Sequence, residues 1–159
     1  MFKTHLQRLA HAILILTLCG SGLTASAAPA ATVLASADGQ ESGTRVEITQ
    51  LKRSSGDTVT LNYVLVNDSD ANLNTEDLMS AEQRGSSDGV TLIDAAGKKK
   101  YLVVRDSDKN CLCSMGIIHS LKPKSRVNLW AKFPAPPADL KKITVAIPHF
   151  QPMDDVPIK

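Results

Sequence analysis

From residue 44 onward, apolar residues recur at every second position, the period of a half-buried strand. Val46 and Ile48 alternate with Arg45, Glu47 and Thr49. Ser54, Ser55, Gly56 and Asp57 then supply a turn, because these residues tolerate turn geometry. Val59, Leu61, Tyr63 and Leu65 resume the alternation. Thr58, Thr60 and Asn62 fill the first opposite positions, and Val64 and Val66 replace them later. The two runs predict an antiparallel hairpin whose second strand is solvated at one end and buried on both faces at the other. Residues 67–89 are polar and turn-rich, and read as a long sheet-to-sheet crossover. Within them a short helix is expected over 75–83, with Thr75 as N-cap and Leu78 and Met79 inward; Leu78 three residues after the cap means there is no capping box.

Residues 90–93 and 100–104 form a second predicted hairpin around Ala95, Ala96, Gly97 and Lys98. Lys98, Lys99 and Lys100 read as a solvated tip whose charges discourage edge pairing. Val127, Leu129 and Ala131 alternate with Arg126, Asn128, Trp130 and Lys132 up to Phe133, and Trp130 is expected in the core of the other layer, with an exposed binding residue as the alternative. Pro134, Pro136 and Pro137 cannot donate ladder bonds and force a loop. Ile143, Val145 and Ile147 make another strand, and residues 156–158 a short edge strand. Seven or eight strands without a long helix predict an all-β, antiparallel β-sandwich over 44–159, with a closed barrel as the alternative.

The first 27 residues follow a different pattern. Lys3 and Arg8 open them, a run from Leu9 to Leu18 is broken only by His11 and Thr17, and Ala25-Ser26-Ala27 closes them. Basic start, apolar run and small-residue cleavage site predict a secretory signal peptide over 1–27. The run is shorter than the ~20 residues that span a bilayer, which argues against a membrane anchor. Lipidation at Cys19 is disfavoured because Leu18, not a small residue, precedes it. Residues 28–43, rich in Ala, Ser and Gly, are expected to be a flexible leader. The expected destination is periplasmic or secreted, with no transmembrane segment in the mature chain.

This division changes the meaning of the composition. The 159 residues carry 18 Lys and Arg against 16 Asp and Glu, a formal charge of +2. Lys3 and Arg8 account for the whole excess, so the mature chain is balanced. No broad field remains to draw in nucleic acid. The stretch from 101 to 158 contains RDSDKNCLCS, LKPKSRVNLWAKFPAPP, ITVAIP and DVPI. With the 44–67 hairpin, it resembles small exported immunoglobulin-like domains of bacteria. Such domains occur in lipoproteins, in secreted mycobacterial antigens and beside OmpA-type cell-wall domains. The resemblance implies an immunoglobulin-like sandwich and export, and supplies no activity.

Signal removal leaves two cysteines, Cys111 and Cys113. In an oxidising compartment they are expected to pair with each other. Residues two apart in a straight strand have Cα atoms about 6.5–7 Å apart, the upper limit for a disulfide, so pairing requires a turn or bulge at Leu112. Three alternatives stay open: thiol redox exchange, a free or intermolecular thiol, and a soft-metal site. For the last, Cys111, Cys113 and Met115 alternate on one strand face, His119 follows, and His149 and Met153 come near the end. Thiolate, thioether and imidazole suit Cu(I) or, without Met, zinc. Asp106, Asp108 and Asn110 mimic a calcium loop, but Cys111 and Ile117 stand where Gly and Glu are needed, so a turn is expected. His119, beside Ile117 and Ile118, is expected to pack partly buried, and His149 after Pro148 to end a strand. No nucleophile elbow, phosphate loop or His-Glu-x-x-His pair is present. The expectation is a non-enzymatic module without cofactor that binds an envelope or extracellular protein. Its contact regions are expected in the 67–89 and 134–137 loops, and a copper or thiol-redox protein is the alternative.

Overall fold

The computed structural model describes residues 32–76, 85–116 and 119–159. The expected signal peptide, Cys19 and all of the expected 75–83 helix beyond Glu76 lie outside the described residues.

The first hairpin is β2 (Thr44–Ser54) and β3 (Thr58–Asn67), paired from Ser54 opposite Thr58 to Thr44 opposite Asn67. Gly56 and Asp57 both take positive φ in its turn, 75° and 50°. Val46 and Ile48 face inward, and so does Leu51, three residues later. A register shift between Ile48 and Gln50 inserts the extra residue that lets the inward set continue. On β3, Val59, Leu61, Tyr63 and Leu65 are buried on one face, and Val64 and Val66 on the other. Val66 lies between Arg45 and Arg126, and Val64 beside Glu47. The Glu47 carboxylate accepts hydrogen bonds from both arginines at 2.8 Å, so long charged side chains roof the outer valines. This is the two-faced burial that the sequence predicts.

β8 (Ser125–Pro134) pairs with β3 along its full length and turns Leu129, Ala131 and Phe133 into the core. β1 (Ala35–Asp38) pairs with β2 on the other side. The first sheet is therefore ordered β1-β2-β3-β8. β1 falls inside the segment expected to be a flexible leader, and corrects that expectation for residues 35–38. The backbone of β2 from Arg45 to Ile48 needs hydrogen-bond partners, and a strand of small residues supplies them. Ala35 and Ala37 are half-buried and too small to make the alternation conspicuous.

The second sheet comprises β5 (Thr91–Asp94), β6 (Lys99–Tyr101), β9 (Lys142–Ala146) and β10 (Met153–Pro157), in the order β10-β9-β5-β6. Asp94 closes the β5–β6 turn by accepting a hydrogen bond from the Gly97 N–H at 2.8 Å. Lys98, Lys99 and Lys100 are exposed at this edge. β10 carries a register break between Met153 and Val156, with Asp155 at φ 56°, which brings both apolar residues inward. A third, two-stranded sheet joins β4 (Leu73–Asn74) to β7 (Ser120–Leu121).

Among the described residues all pairings are antiparallel and no sheet closes, so the barrel alternative falls. Both four-stranded sheets contribute to a single apolar cluster, in which Ile48, Leu51, Leu61, Leu92, Phe133 and Val145 are wholly buried. The 67–89 segment crosses from β3 in one sheet to β5 in the other, as expected. Asn67 starts this crossover from full burial. Its amide N–H groups reach the carbonyls of Ala71, Leu121 and Lys122, and its oxygen accepts from Ser69, so no polar atom of the side chain is stranded. Among the described residues no helix is long and apolar enough to cross a membrane.

Candidate functional site: the cysteine segment and the cleft beside β8

The cysteine segment begins with a tight turn. The Asp106 carboxylate accepts hydrogen bonds from the N–H groups of Asp108 (2.9 Å) and Asn110 (2.8 Å), and Lys109 adopts φ 68°. Asp106 is thus engaged by its own backbone, and the run is the turn that the failed calcium pattern predicts. A bridge between Arg105 and Cys111 closes the turn.

Cys111 and Cys113 have Cα atoms 5.3 Å apart, and their sulfurs lie at disulfide distance. That spacing is shorter than a straight strand gives, so the chain bends at Leu112, as the sequence requires. The bend is held by backbone bonds. The Leu112 N–H donates to the Val104 carbonyl, the Lys132 N–H donates to the Leu112 carbonyl, and the Val104 N–H donates to the Lys132 carbonyl. Cys113 bridges Ala131, and the Ser114 N–H donates to the Trp130 carbonyl at 2.8 Å. The segment therefore lies along the free edge of β8. Cys111 and Cys113 are 6% and 3% exposed.

A polar layer supports it from below. Ser86 donates to Asp88 at 2.7 Å, Asp88 pairs with Arg105, and Arg105 also donates to the Lys109 carbonyl. The Asp88 side chain is 1% exposed, so its charge depends on these partners. Ser87 donates from its hydroxyl to the Trp130 carbonyl and from its N–H to the Ser114 carbonyl. Tyr63 reaches Ser87 from β3. Burial drives the Tyr63 hydroxyl well above the ordinary tyrosine range; the bond to Ser87 opposes this and the Asp88 charge adds to it. Sequence reasoning missed this layer, because Ser86, Ser87 and Asp88 read as turn residues. The Tyr101 hydroxyl, by contrast, is buried with no hydrogen-bond partner among the described residues; burial, then the Asp94 charge, raises its pKa.

The candidate metal ligands separate into groups. Met115 Sδ lies 3.6 Å from Cys111 Sγ, so three sulfurs come together. His119 is not a packing histidine: its side chain is 73% exposed, and Nδ1 lies 2.8 Å from Glu76. His149 follows Pro148 at φ 66° and meets Gln40 at 3.0 Å. Met153 is buried in the core opposite Val145. No group of three or more His, Cys, Asp or Glu suited to a metal occurs among the described residues.

Trp130 also departs from expectation. It sits on the outer face of β8, 38% exposed, because the core-facing positions of the strand are the odd ones. Four large apolar side chains are exposed among the described residues, and two of them, Met115 and Trp130, line one cleft of about 250 Å³. Val127, Leu129 and Leu121 form its apolar wall, with Thr75, Ser114 and Asn128 as polar members. The proline loop is pinned separately. The Arg53 guanidinium donates to the carbonyls of Pro136, Pro137 and Leu140 at 2.8, 2.8 and 3.2 Å.

No protein-family model, no curated protein and no solved structure matches the chain.

Proposed function

We propose that this chain is an exported, non-enzymatic, immunoglobulin-like module that binds a protein partner of the cell envelope or its surroundings through the cleft beside β8. Strand order supports the fold. Immunoglobulin sandwiches place strands A, B, E and D in one sheet and C, F and G in the other, with an added C′ in some classes. Here β2, β3, β8 and the cysteine segment follow the first order, and β6, β5, β9 and β10 follow C′, C, F and G. The chain visits them in the same sequence. The disulfide departs from the immunoglobulin pattern, since it lies within the D-like edge and does not span the sheets. Export rests on the pattern of the first 27 residues.

The observation that carries the binding reading is the exposure of Trp130 and Met115 around one cleft. Tryptophan and methionine are enriched at protein interfaces, and aromatic anchors beside pockets dominate binding energy. Arg53 already engages three carbonyls of the proline loop, which leaves the β8 cleft as the better contact region. Binding is preferred to catalysis because the two described histidines are engaged by Glu76 and Gln40. The test is affinity capture from envelope extract with the wild-type protein, Trp130→Ala and, as a control, Leu102→Ala. A protein retained by wild type and by the control, and bound at least about tenfold more weakly by Trp130→Ala, is the expected result. Equal retention by all three, or none by any, overturns the proposal.

A further inference from the structure

We propose that Cys111, Cys113 and Met115 form a three-sulfur site for Cu(I) that is closed while the cysteines are joined and opens when a dithiol reduces them. The proposal goes beyond partner binding and does not depend on it. The six candidate ligands of the sequence reduce to three here, because His119, His149 and Met153 are held by Glu76, Gln40 and the core. The remaining donors are all sulfur. Two thiolates and a thioether in a three-coordinate set suit Cu(I), whereas zinc requires a fourth ligand.

Geometry supports the same ion. Metal–sulfur bonds of about 2.3 Å arranged in a plane put the donors about 4 Å apart. Met115 Sδ already stands 3.6 Å from Cys111 Sγ. Cysteine Cα atoms 5.3 Å apart allow both side chains to reach one ion. The bend that places them is held by Leu112 bonding to Val104 and Lys132, and neither bond involves sulfur. Opening the disulfide therefore leaves both thiols on the same side of the chain. Met115 is 53% exposed and offers the way in, while the buried cysteines keep the bound ion dry.

The chemistry balances in two steps. A dithiol supplies two electrons and two protons to the Cys111–Cys113 bond and becomes a disulfide itself. Cu(I) then displaces both thiol protons and takes the Met115 thioether as third ligand, with no further electron transfer.

The test is anaerobic competition for Cu(I) against a chromophoric copper(I) chelator. It uses the purified protein before reduction, and after dithiothreitol treatment and desalting. One Cu(I) per reduced chain and none per oxidised chain is expected. Met115→Leu should weaken binding about tenfold or more, and Cys113→Ser should abolish it. Release of two protons predicts that affinity rises by up to about a hundredfold per pH unit below the ordinary thiol range, near 8.5. Three outcomes overturn the proposal: no difference between oxidised and reduced protein, a Met115→Leu variant that binds as tightly as wild type, or loss of the near-ultraviolet circular dichroism of Trp130 on reduction alone.

Discussion

Tyr63 is apolar by position and polar by chemistry. Alternation along β3 sends it inward, and Ser87 meets its hydroxyl there. An unfolded tyrosine ionises near pH 10, whereas Tyr63 in the fold keeps its proton to higher pH, first because burial disfavours the phenolate. Below pH ~10 both states are protonated and the contribution to stability is complete. Above it the unfolded chain has lost a proton that the folded chain retains, so stability falls with rising pH, by about 1.4 kcal/mol per unit for this residue. Tyr101 shifts in the same direction, and these are the two tyrosines of the chain. Denaturant midpoints measured from about pH 8 to 11.5 should decline above about 10, and Tyr63→Phe should flatten the decline. A wild-type profile that stays level across that range would show the assignment to be mistaken. Tyr63 was legible as an inward residue, but its partner was not, because Ser87 gives no sign in the sequence of lying beneath β8. Trp130 and His119 were misplaced for a related reason. Hydrophobicity ranks a tryptophan as core, but strand phase assigns it to the outer face, and phase is set by Leu129 and Ala131.

At the scale of elements, legibility tracked side-chain size. β2, β3, β5, β8 and β9 were readable because bulky residues mark their inward positions, and the bend at Leu112 followed from cysteine spacing alone. β1 was not, since alanines alternate without contrast. Nor was the route by which Ser86, Ser87 and Asp88 pass beneath the cysteine segment, which depends on contacts distant in sequence. The proline loop shows how such a contact changes an element's character. Three prolines mark an irregular loop, yet Arg53, more than eighty positions earlier, binds three of its carbonyls. Arg53→Ala should cost about 1–2 kcal/mol, discounted for partial exposure, and should speed hydrogen exchange at the Leu140 and Ala135 amides. Arg53→Lys should recover part of the protection, as a single ammonium cannot match the fork. Unchanged exchange in Arg53→Ala would remove the pin from this account.

For the whole molecule, the useful fact is that residues 28–159 carry no net charge while the second sheet is charged at both ends. One edge, β6, presents Lys99 and Lys100, with Lys98 in the adjoining turn; the other, β10, presents Asp154 and Asp155. Opposite charges on opposite edges are a recipe for head-to-tail stacking, one copy's acidic edge against the next copy's basic edge, with no rotation to close a ring. The register break in β10 stands against this. It adds one residue between Met153 and Val156, turns the backbone through φ 56° at Asp155 and spoils the straight row of donors and acceptors that an incoming strand requires. Deleting Asp155 restores equal spacing with β9 and leaves Asp154 in place. The variant should sediment as open-ended polymers that dissolve in high salt, and the wild-type chain should not. If the two sediment alike, the bulge has no such role. If they differ, a single inserted residue is what separates a dissolved protein from a fibre.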